Sequence, residues 1–323
     1  RGLQKQAELT GVVKVEFIGA VSKGLEGKEL AEMGDMAEAG VVAFSDDGHY
    51  VENAAFMRRA LEYSSMFNKM VIDHAEDITL TKNGHMHEGI VSYELGVIGR
   101  PAVAEDLAVA RDILLSEMTG GHIHIAHVSS KNTVDMVRRA KAKGLNVTCE
   151  VTSQHLSFTD EYLREYNPAF KMAPPIRSED HRQALLEGLK DGTIDAIITD
   201  HAPHAYEEKD HEFCCAPNGF SGLETSLAAV ITNAYGPDKL SIDQVVYYMS
   251  TRPAELMHLD AGVLEVGKPA DITVFSTTEK WTVDRNKFYT KGKVSPFDGM
   301  TVTGKAKLTV VDGKIVMKEG VVL

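Results

Sequence analysis

The segment Ala196-Ile197-Ile198-Thr199-Asp200-His201-Ala202-Pro203-His204 decides the fold, because a short apolar run ends there on an aspartate and two histidines. The same pattern, an apolar run followed by a side chain that can bind a metal, recurs at Asp47, His74 and His127. In a barrel of parallel strands, such ends converge on one face, where these enzymes keep their active sites. Two histidines and two carboxylates brought together there form a divalent-metal site, most naturally for zinc.

Apolar runs rich in β-branched residues alternate six times with longer segments of helical period. This alternation predicts a parallel sheet with right-handed helical crossovers. The strand candidates are Val12–Ala20, Gly40–Ser45, Lys69–Asp73, His122–His127, Asn146–Val151 and Asp195–Thr199. The helix candidates are Glu26–Ala39, Asn53–Asn68, Ala104–Thr119, Asn132–Ala142 and Glu179–Lys190.

Two architectures accommodate six such units. One is an open, doubly wound sheet, which usually binds its ligand at a topological switch point through a glycine-rich phosphate loop. The sequence contains no such loop. Polar side chains at the ends of four different strands fit radial convergence better. We therefore expect an α/β fold, a TIM-like (β/α)8 barrel, with two of its strands upstream of Arg1.

The C-terminal part of the chain has a different character. Strand-like runs occur at Ala270–Phe275 and Gly304–Leu308, and Asp312-Gly313 lies between two short apolar pairs. Asp-Gly is a favoured two-residue hairpin turn. We therefore expect a barrel domain over residues 1–262 and a small β-domain over residues 263–323.

Composition restricts the partners and the compartment. The 34 basic and 47 acidic residues give a net charge of −13, which argues against nucleic acid and anionic membranes as partners. No apolar run approaches the roughly 20 residues that a membrane span needs. Three cysteines, Cys149, Cys214 and Cys215, without even spacing, indicate a reducing compartment. We expect a cytoplasmic protein that acts on a small molecule.

Each candidate ligand also has an ordinary structural interpretation. Asp47 lies in an Asp-Asp-Gly sequence that is common in turns, and a lone histidine at a strand end is more often packed than bound to metal. His122 and His124 have the spacing of a metal-binding pair, but they lie at the beginning of their strand. Because side chains alternate between the two faces of a strand, they also point to the face opposite to that of His127. We interpret both as packing or surface residues. The turn interpretation is weakest for Asp200, and the four candidates together favour a metal site.

On these motifs the chain resembles the amidohydrolase superfamily, and within it the bacterial type I dihydroorotases, from about Val12 to the C-terminus. Phe44-Ser45-Asp46-Asp47-Gly48 is similar to the motif whose second aspartate bridges two zinc ions, whereas hydantoinases and allantoinases carry a carboxylated lysine at that strand. The resemblance implies that His74 and His127 are metal ligands and that Asp200 is both a ligand and the catalytic base. It also implies two zinc ions per intact active site.

The same resemblance assigns substrate binding to His204 and to backbone groups of Asn218 and Gly219. The chain departs from the family pattern at three places: Asn218 replaces a usual Phe, Ala173 replaces a usual Asn, and Ser153-Gln154-His155 replaces Pro-His-His. The family's first-strand His-x-His pair, the arginine after it and a second-strand asparagine have no counterpart, since the match begins at about the third strand.

The activity that the resemblance implies is the reversible cyclisation of N-carbamoyl-L-aspartate to L-dihydroorotate, a step of pyrimidine synthesis. Two alternatives stay open: another cyclic amide hydrolase, acting on a hydantoin or allantoin, and a non-catalytic subunit in a complex with aspartate transcarbamoylase. The four persisting ligand candidates favour the enzyme, and we expect a homo-oligomer. The acidic segment Glu207–Glu212 indicates either a lid over the substrate or a solvated run of charge, with equal weight.

Overall fold

The computed structural model describes all 323 residues, Arg1–Leu323. Its twelve strands form a six-stranded, a four-stranded and a two-stranded sheet. The strands are β1 (Ile18–Gly19), β2 (Ala43–Ser45), β3 (Val71–Asp73), β4 (Met86–His87), β5 (Gly99–Arg100), β6 (Ile123–Ile125), β7 (Val147–Thr152), β8 (Ala196–Ile198), β9 (Ile272–Thr282), β10 (Thr301–Val311), β11 (Lys314–Lys318) and β12 (Val321–Val322).

The six-stranded sheet is parallel throughout and has the order β1-β2-β3-β6-β7-β8. Its order follows the chain without a reversal, so the sheet has no topological switch point, and the doubly wound alternative is wrong. All six predicted strands are present. Most are shorter than predicted, and of Val12–Ala20 only Ile18–Gly19 is paired.

Helices follow the strands and cover one face of this sheet. The helices are α1 (Gly2–Thr10), α2 (Met33–Glu38), α3 (Ala54–Ser65), α4 (Ile78–Thr81), α5 (Ile90–Leu95), α6 (Val103–Thr119), α7 (Lys131–Ala142), α8 (Glu179–Lys190), α9 (Tyr206–Lys209), α10 (Ser226–Asn233), α11 (Ile242–Val246) and α12 (Arg252–Leu256). Short 3₁₀ turns lie at Lys23–Leu25, Asp160–Leu163, Pro168–Phe170, Leu223–Thr225 and Arg285–Lys287, and one π-helical turn at Tyr247–Thr251.

Four of the five predicted helices keep nearly their predicted bounds, and the fifth is shorter. The predicted helix Glu26–Ala39 begins only at Met33. Leu25 and Gly27 both adopt left-handed backbone conformations, with φ of 57° and 63°. These conformations are incompatible with a right-handed helix, so the chain turns there instead.

The main apolar core lies between the parallel sheet and its helices. Successive strand residues point to opposite faces, so Ile123 and Ile125 join this core while His124 between them does not. The opposite face of the sheet carries a smaller apolar cluster that includes Ile72, closed by Leu256 from α12. The sheet is thereby packed against apolar side chains on both faces.

The four-stranded sheet is antiparallel and has the order β12-β11-β10-β9. The predicted hairpin is confirmed: Asp312 and Gly313 connect β10 to β11 with φ of 47° and 76°, the left-handed pair that this turn requires. Gly304 on β10 packs against Ile231 of α10, where a Cβ would lie only 2.8 Å from the Ile231 Cβ. The division into domains at residue 263 stays a prediction. None of the helices combines the length and the apolar character that a membrane crossing requires.

Candidate metal centre and active site

Two neighbouring aspartates after β2 have different tasks. The Asp46 carboxylate is buried and accepts hydrogen bonds from the backbone N–H groups of Val21 and Ser22, at 2.8 and 3.0 Å. It thereby fixes the loop after β1 to the loop after β2. The side chain of Asp47 is 57% exposed, and its backbone N–H donates to Ser45 Oγ at 2.9 Å. Asp47 itself lies in the predicted turn, which the hydrogen bond from the His49 N–H to the Asp46 carbonyl closes at 2.9 Å, and its exposed carboxylate is available to bind a ligand.

His127 and Asp200 both have left-handed backbone conformations, with φ of 33° and 40°. They follow β6 and β8, so in each case the strand alternation breaks at the residue that bears the candidate ligand. Positive φ in residues other than glycine costs of order 1–3 kcal/mol and is concentrated at functional sites. Eight other residues besides glycine also have positive φ, so His127 and Asp200 are distinguished by combining this conformation with a position just after a strand of the parallel sheet.

Three of the four predicted ligands meet in one cluster. His74 Nδ1 lies 3.0 Å from His127 Nε2, and Asp47 Oδ1 lies 3.7 Å from the first nitrogen and 3.4 Å from the second. In a tetrahedral zinc site, ligand bonds of about 2.05 Å separate neighbouring ligand atoms by about 3.3 Å. One carboxylate and two imidazoles at these separations fit a divalent metal ion.

The charges of the cluster support each other. The close imidazoles of His127 and then of His74 lower the pKa of Asp47 below its usual range. Burial disfavours the charged form of His74, but the carboxylates of Asp47 and Glu76, each 3.7 Å from a ring nitrogen, outweigh it and raise the pKa to about 9. His127 follows the same pattern: burial lowers its pKa and the Asp47 carboxylate, 3.4 Å away, raises it, with a net increase. The carboxylates thus hold positive charge at this place, which a metal ion would supply.

A buried ion pair lies behind His74. Glu76 Oε2 is 3.7 Å from His74 Nε2, the ring nitrogen that points away from the cluster, and 2.7 Å from Arg100 Nη2. A carboxylate on the outer nitrogen fixes the orientation of a metal-binding imidazole. Glu76 was visible in the sequence only as a neighbour of His74.

A second buried carboxylate, not predicted from the sequence, holds the segment after His127. Glu105 Oε1 accepts the backbone N–H groups of Ser129 and Ser130 at 3.0 and 2.9 Å, and Glu105 also accepts from the Ser129 hydroxyl. Arg177 Nη2 lies 3.5 Å from Glu105, and Arg177 Nε donates to Ser129 Oγ at 2.7 Å. An acidic residue in the first turn of a helix usually faces solvent, so the sequence carried no signal of this role.

Asp200 is not among the three residues whose ligand atoms lie within 4.8 Å of one another, but its carboxyl group interacts with the charges of all three. Burial raises the pKa of Asp200, the Asp47 charge adds to this, and His127 and His74 oppose it. The preceding residue is fastened by Gln154, whose Nε2 donates to the Thr199 carbonyl at 2.6 Å. Gln154, at which the chain departs from the family pattern, therefore makes a hydrogen bond to the backbone next to Asp200.

The three predicted substrate-binding residues also come together. His204 Nε2 donates to the Asn218 carbonyl at 2.8 Å, and the Gly219 N–H donates to the Lys171 carbonyl at 2.9 Å. Gly219 has φ of 105°, and a Cβ there would lie 2.8 Å from the Ala202 carbonyl oxygen. Two of the backbone groups expected to bind substrate are therefore engaged within the protein, and the close approach to Ala202 requires glycine.

His122 and His124 lie away from the metal cluster, in agreement with their interpretation as packing residues. Both contact Thr148 Oγ1, at 2.8 and 2.7 Å, and His124 Nε2 lies 3.1 Å from Glu150. All three cysteines are free thiols.

A comparison with protein families now adds to this geometry. The profile of the amidohydrolase family matches residues 15–316. The chain belongs to the amidohydrolase family. This confirms the resemblance read from the motifs and the fold class, an α/β amidohydrolase architecture with an additional C-terminal antiparallel sheet.

Curated relatives of this amidohydrolase bear the name dihydroorotase. The relative from Syntrophus aciditrophicus is 47% identical over 315 residues, which are 98% of this chain and 74% of the relative. The relative from Pelotomaculum thermopropionicum is 48% identical over 318 residues, again 98% and 74% of the two chains. The resemblance to the dihydroorotase branch is thereby confirmed.

Solved structures of similar fold are hydantoinases. The L-hydantoinase (dihydropyrimidinase) of Arthrobacter aurescens superposes with a TM-score of 0.85 at 30% identity, over 99% of this chain and 74% of that one. The dihydropyrimidinase of Brevibacillus agri gives 0.84 at 22% identity, which shows the shared fold alone. The amidohydrolase family is metal-dependent, and the Asp47, His74 and His127 cluster is a possible metal site. The identity of the metal and the role of each residue stay predictions.

Proposed function

We propose that the protein is a dihydroorotase, which interconverts N-carbamoyl-L-aspartate and L-dihydroorotate in pyrimidine synthesis. The observation that carries the proposal is the cluster of Asp47, His74 and His127 in a chain about 47% identical to curated dihydroorotases. An aspartate at the end of β2, in place of the lysine expected of hydantoinases, favours this activity over hydantoin hydrolysis.

We assign zinc to the cluster, with two ions per intact active site. Asp47, His74 and His127 would hold the metal, since carboxylate oxygen and imidazole nitrogen are ligands that zinc prefers. When bound, the metal polarises the amide carbonyl and lowers the pKa of water towards about 7. Glu76 keeps His74 oriented through its outer nitrogen.

Asp200 is the proposed general base. In the hydrolytic direction, the oxygen of a water molecule forms a bond to the ring amide carbon, and the bond from that carbon to the ring nitrogen breaks. Asp200 accepts one proton from the water and delivers it to the leaving nitrogen, which becomes the NH2 of a ureido group, and the carboxylic acid that forms releases the second proton to solvent to give the carboxylate. Its raised pKa, caused first by burial, brings the carboxyl closer to the range in which it can both accept and release a proton.

Substrate binding is assigned to His204 and to the backbone around Asn218 and Gly219. His204 Nδ1 lies 3.3 Å from Glu208 while its Nε2 donates to Asn218, so the imidazole is fixed from both sides. Ala173 offers no side-chain hydrogen bond at the position of the family's asparagine. We assign recognition of the substrate mainly to this histidine and this loop.

We also propose a cytoplasmic homo-oligomer, with a complex with aspartate transcarbamoylase as a possible further assembly. The high share of acidic residues accords with a protein that has no nucleic-acid partner. Light scattering of the purified protein, alone and mixed with aspartate transcarbamoylase, tests both assemblies.

The proposed function is tested by turnover of cyclic amides. The protein is loaded with zinc, its metal content is measured by elemental analysis, and initial rates are compared for dihydroorotate, hydantoin and allantoin. We expect dihydroorotate to give the highest kcat/KM. Faster turnover of hydantoin or allantoin would assign a different cyclic amide hydrolase. No turnover of any substrate, together with binding to aspartate transcarbamoylase, would identify a non-catalytic subunit.

A further inference from the structure

Two lysines next to the proposed substrate loop are buried without a carboxylate partner. Lys171 and Lys209 are each only 4% exposed. Burying a charged group costs several kcal/mol unless hydrogen bonds and opposite charges offset the loss of water. Both ammonium groups instead donate hydrogen bonds to backbone carbonyls. The positions of these carbonyls in the chain indicate which segment each lysine holds in place.

Lys209 holds the chain immediately before Gly219. Its Nζ donates to the Pro217 carbonyl at 2.9 Å and to the Lys171 carbonyl at 3.4 Å. The Lys171 carbonyl also accepts the Gly219 N–H at 2.9 Å. Asn218 thus lies between two residues that are tied to the same place.

Lys171 holds the other end of the same loop. Its Nζ donates to the carbonyls of Phe213 and Cys214, at 2.9 and 3.0 Å, and lies 3.3 Å from His85 Nδ1. The two lysines therefore fasten the segment 213–219 at its beginning and at its end. A hydrogen bond from a charged donor is roughly twice as strong as one from a neutral donor.

The opposite side of this loop meets the residues that follow Asp200. His204 donates to the Asn218 carbonyl, and the Ala202 N–H donates to the Phe220 carbonyl at 3.1 Å. Gly219 packs against Ala202 so closely that no Cβ fits. Displacement of the loop would therefore move His204 relative to Asp200.

We propose that Lys209 is a positioning residue for substrate binding, whose charged ammonium group holds Pro217–Gly219 against the segment Asp200–His204. The inference deepens the proposed function, because it assumes that this loop and His204 contact the substrate. It also accounts for the burial of two positive charges at this place, since the substrate is an anion and a positive potential behind the loop attracts it.

Lys209 can lose its charge near neutral pH. Burial and then the charge of Lys171 lower the pKa of Lys209 to about 8. The titratable and charged groups that face this pair are His85, Arg100, Cys214 and Cys215. Each of them interacts electrostatically with the ammonium group of Lys171. Loss of the Lys209 proton replaces a charged donor by a weaker neutral one, which loosens the loop.

The first test compares KM with kcat in the zinc-loaded enzyme. Lys209→Met removes the charge and keeps the length of the side chain, so we expect KM for dihydroorotate to rise about tenfold, with a smaller change in kcat. In the unmodified protein KM should rise between pH 7 and pH 9 with a midpoint near the pKa of about 8, and this rise should be absent from the variant. Lys143→Met, at an exposed lysine, is the matched control.

A second readout does not depend on activity. Hydrogen exchange measured by mass spectrometry should be faster over residues 213–219 in Lys209→Met and unchanged over β6 and β7. Lys209→Gln keeps an N–H donor without the charge and replaces the first variant if that one does not fold. An unchanged KM, or a pH-dependent rise in KM that persists in the variants, would overturn the inference. If dihydroorotate is not turned over at all, the proposed function fails. In that case, unchanged hydrogen exchange over residues 213–219 in Lys209→Met would separately overturn the proposal that Lys209 holds this loop in place.

Discussion

The residues that the sequence singled out owe their position to backbone conformations that it did not predict. Four polar side chains at the ends of apolar runs were enough to predict a site, because parallel strands bring their ends together. The left-handed conformations of His127 and Asp200 carry no sequence signal, since histidine and aspartate adopt φ > 0 in only a small fraction of cases. Such conformations persist because the surrounding packed structure imposes them.

Replacement of Asp200 by asparagine tests its role as the base. Asparagine has the same shape and tolerates left-handed φ as well as aspartate does, so the fold should persist with an unchanged circular dichroism spectrum. The amide cannot accept the proton, so kcat for dihydroorotate should fall by roughly 10²- to 10⁴-fold. Asp210→Asn, at an exposed position of the same segment, is the control and should retain full activity. A rate for Asp200→Asn close to that of the unmodified protein would remove Asp200 from the mechanism.

At the scale of elements, the strands and helices could be predicted from the sequence, but the buried ion pairs and hydrogen bonds that connect them could not. The strands fall at the predicted runs, although most are shorter, and the helices α6, α7 and α8 lie close to their predicted bounds, because apolar periodicity reports which face is buried. The buried Glu105 at the start of α6 and its partner Arg177 join elements 72 residues apart in the chain. No local pattern reports such a pair, because each side chain alone reads as a surface charge.

Glu105 provides a test of how α6 supports the metal cluster. Glu105→Gln leaves Arg177 buried without its counter-charge, which costs about 3 kcal/mol and lowers Tm by about 4 °C. The segment after His127 loses its anchor, so zinc affinity should fall about tenfold or more. Differential scanning calorimetry and zinc titration measure the two effects. Glu117→Gln on the exposed face of α6 is the matched control, and equal Tm values for the two variants would show that the buried pair contributes nothing.

At the scale of the whole molecule, the sequence predicted six parallel strands in order, the C-terminal antiparallel sheet and the family. It did not predict the two-stranded sheet of β4 and β5, or α10, on which β10 packs. The two-stranded sheet is short, with two residues in each strand, and apolar periodicity is not visible over such a length. Packing between distant segments, such as Gly304 against Ile231, depends on shape and not on pattern.

Two buried histidines predict how the stability of the molecule depends on pH. Burial and the charge of Arg177 lower the pKa of His87 to about 3, and burial followed by the charges of His127 and Arg177 does the same for His155. Their ordinary value is 6.5, so between pH 6.5 and pH 3 the unfolded chain binds protons that the folded chain does not. Their contribution is complete above pH 6.5 and is lost as the pH falls.

The free energy of unfolding of the metal-free protein should therefore decrease by about 2 kcal/mol for each of the two histidines between pH 6.5 and pH 5. His74 opposes this decrease only slightly, because its pKa of about 9 keeps it protonated in the folded state while the unfolded chain completes its protonation as the pH falls below 6.5. Urea titrations at several pH values measure the slope, and the double substitution His87→Gln with His155→Gln should reduce it without abolishing it, because burial also lowers the pKa of His122 to about 4. A slope in the double variant equal to that of the unmodified protein would mean that these two imidazoles take up protons in the folded protein.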